Sequence, residues 1–407
     1  MTNLDRRIAP VEERFHLLDT LRAIALYGVI TFNVAGMSAA FVAGEIFPKA
    51  GALDKAFMLF DLILVQGKAR AAFALLFGIG FGLMMERMTM RGHRFTSFYL
   101  RRMTVLLAFG LFNLTFLYFG DILILYALMG MILLLFQRVS DRALLGLGLA
   151  LIVVPSLGVG VVELATGAPM PSLGGGDPDT LFRALRPAYE GHSFAAYVVA
   201  NLRYYVEHYR FETSYAIVYD LGVLGLFLTG LWVARRRVLI DTKQWAPTLR
   251  WVAWICLPLG LVFSIVHGSR RLGIPAHGAA YAAVTTAYAG LAIMAFGYVA
   301  LFALLLSGKG QRVHRALSPA GRMALTCYLA SNAIGSFVTY GWGLGMLGRM
   351  NGFALNMLSI TIYAALCVLS AIWLSRFRFG PAEWIWRSLT YGQAQPMHRQ
   401  RWVPSAR

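Results

Sequence analysis

Two cations, Lys68 and Arg70, lie inside an apolar stretch, residues 57–85, that is long enough to cross a bilayer. A charge at the middle of a membrane helix costs ~2.5 to 3.5 kcal/mol on insertion scales, so each cation needs water, a carboxylate or an anionic ligand beside it. Because positions 68 and 70 are about 200° apart on a regular helix, we expect two different partners or a local break in the helix.

Asp121 is the carboxylate that the predicted topology brings nearest to these cations. It follows Gly120 in the turn YFGDIL, between two apolar stretches. Lys68 and Asp121 could form a purely structural ion pair. They could also belong to a site for an anionic ligand, in which the carboxylate balances the cation in the empty state. Both interpretations stay open on the sequence.

Other polar side chains lie within or beside apolar stretches. Asp19 and Arg22 are three residues apart, so they can pair across one helix turn, and Asp19 could instead cap the start of that helix. The amides of Asn33 and Asn113 fall in the first and third stretches, where an amide is more often glue between helices than a catalyst. A later stretch has a polar face formed by Arg322, Thr326, Tyr328, Ser331 and Asn332.

The elements that must position these residues are membrane helices. Of the 407 residues, 58% are hydrophobic and 14% are charged, and the mean hydropathy is +0.62. Such a chain cannot present an ordinary soluble surface, so we predict an all-α polytopic bundle of about ten spans with an amphipathic outer interfacial helix. The predicted spans are 22–43, 57–85, 103–119, 122–137, 144–164, 215–234, 251–267, 279–307, 323–346 and 354–375.

The basic residues predict the orientation in the membrane. Of the 37 Lys and Arg residues, 25 fall in one alternate set of connections, which includes both ends of the chain, and nine fall in the other set. By the positive-inside rule, we predict that the N and C termini are cytoplasmic. The net charge of +18 therefore reflects topology, and we expect the lipid bilayer, and no nucleic acid, as a partner.

One hydrophilic segment interrupts the apolar pattern. We predict an N-terminal five-helix half over 1–165, an extracytoplasmic loop over 166–213, and a C-terminal five-helix half with a cytoplasmic tail over 214–407. Within the loop, helical spacing relates two sets of residues: Phe194, Tyr197, Leu202, Tyr205 and Tyr209 on an apolar face, and Asn201, Arg203, Glu207 and Arg210 on a polar one. This pattern predicts a helix in the headgroup layer, either a cap on the bundle or a gate for a substrate.

Familiar soluble-enzyme chemistry is not supported by any motif. The sequence has no GxSxG, HExxH or P-loop pattern. The three cysteines fall in apolar stretches, without the spacing of a disulfide or metal site, so we expect neither a metal nor a bound cofactor. Gly78, Gly80 and Gly82 lie within a span, where glycine permits close packing of helices.

Five segments, in matching order and spacing along essentially the whole chain, resemble the YeiB-like family of bacterial inner-membrane proteins. They are LDTLRAIALYGVITFNV, GKARAAFALLFGIGFGL, FGLFNLTFLYFGDILILYALMG, GRMALTCYL and FRFGPAEWIWR. The C-terminal half of that family is the domain of unknown function 418, and the group is considered a distant relative of transmembrane acyltransferases. The resemblance implies an acyltransferase-like inner-membrane protein that uses cytoplasmic acyl-CoA as a co-substrate to modify an extracytoplasmic acceptor, a sugar or a lipid.

The resemblance also implies roles for individual residues. Asp121 and Lys68 would be catalytic: Asp121 would orient or deprotonate the acceptor, and Lys68 would steady an oxyanion or thioester carbonyl. Arg22 and Arg322 would contact the phosphates of the donor. The other predicted substrate-binding residues are Arg70, Asp19, Asn33, Asn113, Tyr126 and Tyr328.

Two positions depart from the family pattern. The family typically has histidine where this chain has Asn113, and asparagine where this chain has Cys327. Because an amide does not take up a proton at neutral pH, Asn113 cannot act as a base. Asp121 is then the nearest candidate base. Otherwise the protein is a transporter, a lipid- or small-molecule-binding protein, or a structural subunit of a membrane complex; a homo-oligomer is compatible with each of these.

Overall fold

The computed structural model describes residues 11–39, 50–90, 95–166, 178–211, 213–271, 288–307 and 310–398. Within these ranges the chain is helical and forms no strand beyond one isolated bridge between Phe377 and His398. The helices are α1 (Val11–Ala39), α2 (Ala52–Phe60), α3 (Lys68–Met90), α4 (Phe95–Phe116), α5 (Leu123–Leu133), α6 (Asp141–Thr166), α7 (Pro178–Glu190), α8 (Phe194–Phe211), α9 (Thr213–Arg235), α10 (Thr242–Arg271), α11 (Tyr288–Leu306), α12 (Gln311–Arg322), α13 (Ala324–Thr339), α14 (Gly352–Arg376) and α15 (Pro381–Tyr391). The predicted all-α class is confirmed.

Among the described residues, seven helical segments are long and apolar enough to cross a membrane. They lie in α1, α2 with α3, α6, α9, α10, α11 and α14. The remaining predicted spans correspond to α4, α5 and α13, of which α5 with its following 3₁₀ turn is a shorter apolar helix, Leu123–Phe136. The chain is therefore a helical membrane protein that contacts the lipid bilayer, while the count of ten spans stays a prediction.

The second predicted span is not one continuous helix. After α2 the backbone widens into a π-helical segment, Asp61–Val65, and then breaks at Gln66 and Gly67 before α3 begins at Lys68. Gly67 has φ +78°, a left-handed conformation that glycine adopts at little cost. The local break that the positions of Lys68 and Arg70 suggested is therefore present.

The glycines of α3 serve close helix packing, as the sequence predicted. A side chain at Gly78 would collide with the backbone of Phe227 in α9, and one at Gly230 of α9 would collide with the backbone of Leu75. In the same way Gly28 of α1 lies against Ala69. Small residues at such crossings let membrane helices approach closely and gain dispersion contacts. These crossings fix α3, which carries Lys68 and Arg70, against α1 and α9.

The bundle has two ends that differ in chemistry. At the end that we call the basic end, the first turns of α1 contact α12, and α15 packs on the first turns of α4 and α13. At the opposite end, the loop end, α7 and α8 cover the last turns of α1 and α13. There the buried rings of Tyr189, Tyr197 and Tyr340 pack against one another, with ring centroids 4.9 to 5.7 Å apart.

The helix predicted in the outer segment is confirmed as α8, but one residue of its predicted polar face lies in the protein interior. Asn201 is fully buried and accepts a hydrogen bond from the Tyr189 hydroxyl at 3.0 Å. The reason is that α8 packs on α4 and α7 through its tyrosines. The part of α8 that carries Asn201 therefore faces protein and not water. Leu202, placed on the apolar face, is exposed, as a side chain that faces lipid would be.

Candidate functional site

A chain of side-chain amides crosses the interior of the bundle. The Asn33 amide of α1 donates to the Asn332 oxygen of α13 at 2.9 Å, and the Asn332 amide donates to the Asn113 oxygen of α4 at 3.0 Å. The Asn113 amide in turn donates to Oδ2 of Asp121 at 2.7 Å. All three asparagines are buried. We call this set the amide chain; each member donates towards the same carboxylate.

Asp121 lies in the short turn between α4 and α5. Besides the bond from Asn113, its Oδ1 accepts a hydrogen bond from the backbone N–H of Ile124 at 2.8 Å, so it also caps the first turn of α5. The Tyr328 hydroxyl lies beside it, because Asn113 and the Ile122 N–H contact that oxygen at 3.5 and 3.4 Å. The carboxylate is half-buried, and each of its oxygens keeps a lone pair beyond these bonds.

Tyr126 and Arg70 are joined to each other, apart from the amide chain. The Tyr126 hydroxyl donates to the Arg70 carbonyl oxygen at 2.9 Å. The Arg70 guanidinium lies 3.9 Å from the centroid of the Phe32 ring and 5.0 Å from that of Tyr219. Stacking on rings is one way in which an arginine is accommodated away from bulk water. Arg70 is thus held by aromatic neighbours on α1 and α9.

Lys68 is placed by the helix break. Its side chain is 1% exposed, and its Nζ donates to the Leu62 carbonyl at 2.8 Å. That carbonyl belongs to the π-helical segment. The Tyr298 hydroxyl similarly donates to the Leu64 carbonyl at 2.9 Å. The salt bridges of the described residues do not include a pair between Lys68 and Asp121.

Asp19, Arg22 and Arg322 form a second group, at the basic end. Arg22 donates to Oδ1 of Asp19 at 2.9 Å, and the charges of Arg22 and Arg322 both act on that carboxylate. Arg322 also donates to the Arg378 carbonyl at 3.3 Å. Because α1 extends back to Val11, Asp19 lies two turns inside the helix and does not cap it. Of the two interpretations of Asp19 and Arg22, the ion pair is the correct one.

Glu383 explains the GPAE segment that the resemblance singled out. Its Oε1 accepts hydrogen bonds from the backbone N–H groups of Leu325 and Thr326 at 2.8 and 3.0 Å, and Oε2 accepts one from the Thr326 hydroxyl at 2.6 Å. The side chain therefore caps α13 from a separate helix, α15. Burial raises the pKa of Glu383 above its usual range, while the Thr326 and Leu325 bonds oppose that shift.

The predicted site residues thus fall into separate places. Asn33, Asn113, Asp121 and Tyr328 come together. Asn332, which joins them, was predicted to lie on a polar helix face but was not among the predicted substrate-binding residues. The spacing of Tyr328, Asn332 and Ser336 along one face of α13 was the signal for it. Asp19 and Asn33 are both on α1, about 21 Å apart along its axis, so the basic-end group does not contact the amide chain directly.

Three carboxylates inside apolar helical segments were also missed: Asp61, Glu163 and Asp220. Asp61 and Glu163 are buried, and Asp61 accepts a hydrogen bond from Gln66 at 2.7 Å. A carboxylate within a membrane span needs a partner for the same reason that Lys68 does, so its position in the sequence is the same kind of signal.

Two cavities lie among or along these helices, one small and one open. One of about 40 Å³ is lined by residues of α3, α6, α9 and α11, including Ser156 and Tyr219, and would hold one or two water molecules. A larger groove of about 480 Å³ runs along Phe95, Thr96, Ser97 and Leu100 at the start of α4. In the part of the chain that the structure describes, no three His, Cys, Asp or Glu side chains gather as a metal site would require.

The chain is similar to known proteins along most of its length. Residues 233–393 match the family described as "Protein of unknown function (DUF418)". Over 95% of its length, the chain is 28% identical to the "Uncharacterized protein YxaH" of Bacillus subtilis (strain 168), covering 97% of that protein. Over 94% of its length it is 26% identical to the "Uncharacterized protein YeiB" of Escherichia coli (strain K12), covering 98% of it. The resemblance to the YeiB-like family is confirmed.

The DUF418 match and the amide chain cover different parts of this chain. The match includes Asn332, Tyr328 and Glu383, and ends close to the last residue of α15. Asn33, Asn113 and Asp121 precede it. The amide chain therefore joins the segment that carries the family match to the N-terminal helices.

Proposed function

We propose that this YeiB-like protein is a transmembrane acyltransferase in which Asp121 is the general base. The acceptor's hydroxyl or amine gives its proton to Asp121, its oxygen or nitrogen bonds to the acyl carbon, and the carbon–sulfur bond of an acyl-CoA breaks. The released thiolate takes up a proton. The observation that carries this proposal is the amide chain, which ends on a carboxylate that is only partly buried.

Asn113 acts in this proposal as a positioning residue. It cannot accept a proton, but its amide fixes one oxygen of Asp121, and the Ile124 N–H fixes the other. Because neither bond uses all the lone pairs of the carboxylate, an acceptor group could still bond to it. A base of fixed orientation is the requirement for general-base catalysis. Asp121 therefore supplies the proton acceptor that Asn113 cannot.

The donor would bind at the basic end, which we propose is cytoplasmic. Arg22 and Arg322 gather there around Asp19, and guanidinium groups suit the phosphates of coenzyme A. The proposal also places the protein in the bacterial inner membrane, with the acceptor, a sugar or a lipid, reached from the loop end. The distance between the two groups requires that the pantetheine arm of the donor carries the thioester from the basic end into the bundle.

The decisive substitution is Asp121→Asn, which keeps the side-chain size and an oxygen that can accept the Ile124 bond. Purified protein would be incubated with radiolabelled acetyl-CoA and an extract of bacterial envelope sugars and lipids, and the label would be followed into acceptors. Loss of a general base typically costs about 10² to 10⁴ in rate, so we expect transfer by Asp121→Asn to fall by that factor.

Thermal unfolding and size-exclusion behaviour would be measured on the same samples. A folded Asp121→Asn variant that transfers the label at the wild-type rate would exclude Asp121 as the base. Asn356→Asp is a matched control, because Asn356 is buried but its amide bonds only to the Gly352 carbonyl of its own helix. Its effect on transfer should follow its effect on folding alone.

A second candidate is a transporter or binding protein in which no covalent bond changes. The broken helix at Gly67, with buried Asp61 and Lys68 on either side, favours it, since discontinuous membrane helices form the ligand sites of many transporters. Ligand uptake into proteoliposomes that falls in Lys68→Met, without any labelled product, would support this candidate over the first. Lys68 has no catalytic part in our first proposal because its Nζ bonds to Leu62.

A further inference from the structure

Three arginines gather at the basic end where α15 crosses the start of α4. The Arg102 guanidinium stacks on the Trp386 ring, 3.6 Å from its centroid, and the indole N–H of Trp386 donates to the Arg102 carbonyl at 2.8 Å. Arg101 donates to the Thr390 carbonyl at 3.4 Å. Arg387, one turn of α15 away from Thr390, lies close enough to repel the charge of Arg102.

No carboxylate neutralises this group within the described part of the chain. Neither Arg101, Arg102 nor Arg387 forms a salt bridge there, and the charges that act on Arg102 are those of arginines and tyrosines. Glu383, on the same helix as Arg387, is bound to the first turn of α13. Like charges held together in this way are stabilised when an anion binds between them.

A second arginine group at the bundle surface shows the contrast. Arg236 pairs with Asp141 at 2.9 Å, and Arg235 contacts the same carboxylate at 3.5 Å. Arg237 lies 3.7 Å from Glu86. The charges of this group are therefore balanced by protein carboxylates. The arginines around α15 are oriented instead by the rings of Trp386 and Phe379 and by the Thr390 carbonyl, which fix guanidinium groups without neutralising them.

The position of α15 identifies the kind of anion. Ile385 and Leu389, four residues apart on one face, are 41% and 55% exposed, although both are large and apolar. Trp384 and Trp386 lie on the same short helix, and tryptophan is enriched at the level of lipid headgroups. A helix with an exposed apolar stripe beside guanidinium groups is typical of one that lies in the membrane interface. At the level of the headgroups, phospholipid is the most abundant source of phosphate.

We propose that Arg101, Arg102 and Arg387 bind the headgroup phosphate of an anionic phospholipid. Guanidinium groups form paired hydrogen bonds with phosphate oxygens, and the stacking of Arg102 on Trp386 orients its planar fork. The exposed stripe of α15 and the neighbouring groove along Thr96 and Leu100 provide apolar and hydroxyl surface for the rest of the lipid. This site goes beyond the proposed acyl transfer and does not depend on it.

The test is lipid binding by the full chain in neutral detergent, with phosphatidylglycerol and phosphatidylcholine as probes and native mass spectrometry as the readout. We expect wild-type protein to retain phosphatidylglycerol preferentially. Two arginines contribute together about tenfold or more in affinity at an anionic surface, so Arg102→Gln with Arg387→Gln should lose most of the preference. Arg236→Gln, in the balanced group, is the matched control and should keep it.

Free phosphate is the alternative source of the same chemistry. If millimolar inorganic phosphate or coenzyme A displaces phosphatidylglycerol, the site is one for a soluble phosphate and the lipid assignment is overturned. Equal phosphatidylglycerol binding by wild type and the double variant would also overturn it. Should the double variant unfold, Arg102→Lys, which keeps the charge but not the planar fork, should show weaker binding at an unchanged melting temperature.

Discussion

The amide chain and the basic end satisfy the polar side chains of the bundle with different chemistry. In the interior, neutral amides from α1, α13 and α4 hydrogen-bond in series to one carboxylate, Asp121. At the basic end, charged groups pair with each other or bond to helix ends, as Arg22 does with Asp19 and Glu383 does with α13. Ion pairs are tolerated where water is near, whereas amides satisfy one another without carrying charge into the bilayer.

This difference indicates which region carries chemistry. Each asparagine of the amide chain donates to the next member, and the chain ends on one group that can exchange a proton, Asp121. The basic end gathers guanidinium groups, which suit the binding of phosphates.

The amide chain should be the more sensitive region to the loss of one side chain. Asn332→Leu removes the partner of both Asn33 and Asn113. The Asn33 amide N–H and the Asn113 amide oxygen are then buried without a hydrogen bond, while the Asn113 N–H still donates to Asp121. At about 1 to 3 kcal/mol for each such group, the free energy of unfolding should fall by about 2 to 6 kcal/mol. Equilibrium unfolding in detergent measures this change.

Asn356→Leu is the matched control for that experiment. Asn356 is also buried, but its amide bonds only to a carbonyl of its own helix, so the same substitution should cost below about 1 kcal/mol. If the two variants lose equal stability, the amide chain stabilises the interior no more than the single buried amide of Asn356 does, and the contrast with the basic end is lost.

Close backbone approach at the basic end should give the next largest effect. Gly321 of α12 lies against the Asp19 carbonyl of α1, so a methyl group there would collide with backbone that cannot move aside. We expect Gly321→Ala to cost about 1 to 3 kcal/mol of unfolding free energy. Gly158→Ala, at a helical glycine with nothing within 4 Å, should be neutral or slightly stabilising, and a similar loss there would remove the packing explanation.

The capping carboxylate should give stability a dependence on pH. Because burial raises the pKa of Glu383 above its usual 4.5, the folded protein keeps a proton that the unfolded chain has already lost just above that pH. The contribution of Glu383 to stability is therefore present below pH 4.5 and falls as pH rises through its folded pKa. Melting temperatures of wild type and Glu383→Gln across this range should diverge in that direction. Parallel pH profiles would contradict the raised pKa.

The smallest effect should come from the charged pair on α1. Asp19 and Arg22 are partly exposed, and pairs of that kind are worth below about 1 kcal/mol. Asp19→Asn should therefore change the melting temperature little. It should increase the affinity for an acyl-CoA, since the carboxylate no longer competes with phosphate for Arg22 and Arg322, and isothermal titration would show this. A large loss of stability would place Asp19 with the amide chain instead.

The fold class followed from the sequence because membrane helices need long apolar stretches, and α1, α6, α10 and α14 are of that kind. The break at Gly67 was predictable only as one of two outcomes, since the spacing of Lys68 and Arg70 fits either a break or two partners. The faces of α8 were not predictable, because they depend on which neighbours cover the helix.

The candidate site was partly predictable for a related reason. Asn33, Asn113 and Asp121 stand out as polar residues in or beside apolar stretches, and they do come together. What the sequence could not show is that Asn332 joins them across helices, or that Lys68 bonds to Leu62 and not to Asp121. Pairing between distant helices is set by packing angles and helix breaks, which no local pattern specifies.

The most direct test of the proposed function is binding of radiolabelled acetyl-CoA to the full-length protein in nanodiscs. Arg322→Ala would be compared with Arg315→Ala. Arg315 is an exposed arginine of the same helix, and its Nε donates to the Gln311 carbonyl of that helix. We predict saturable binding by wild type and Arg315→Ala, and about tenfold weaker binding by Arg322→Ala. Absence of binding by folded wild-type protein would contradict the acyltransferase proposal and favour the transporter or binding protein.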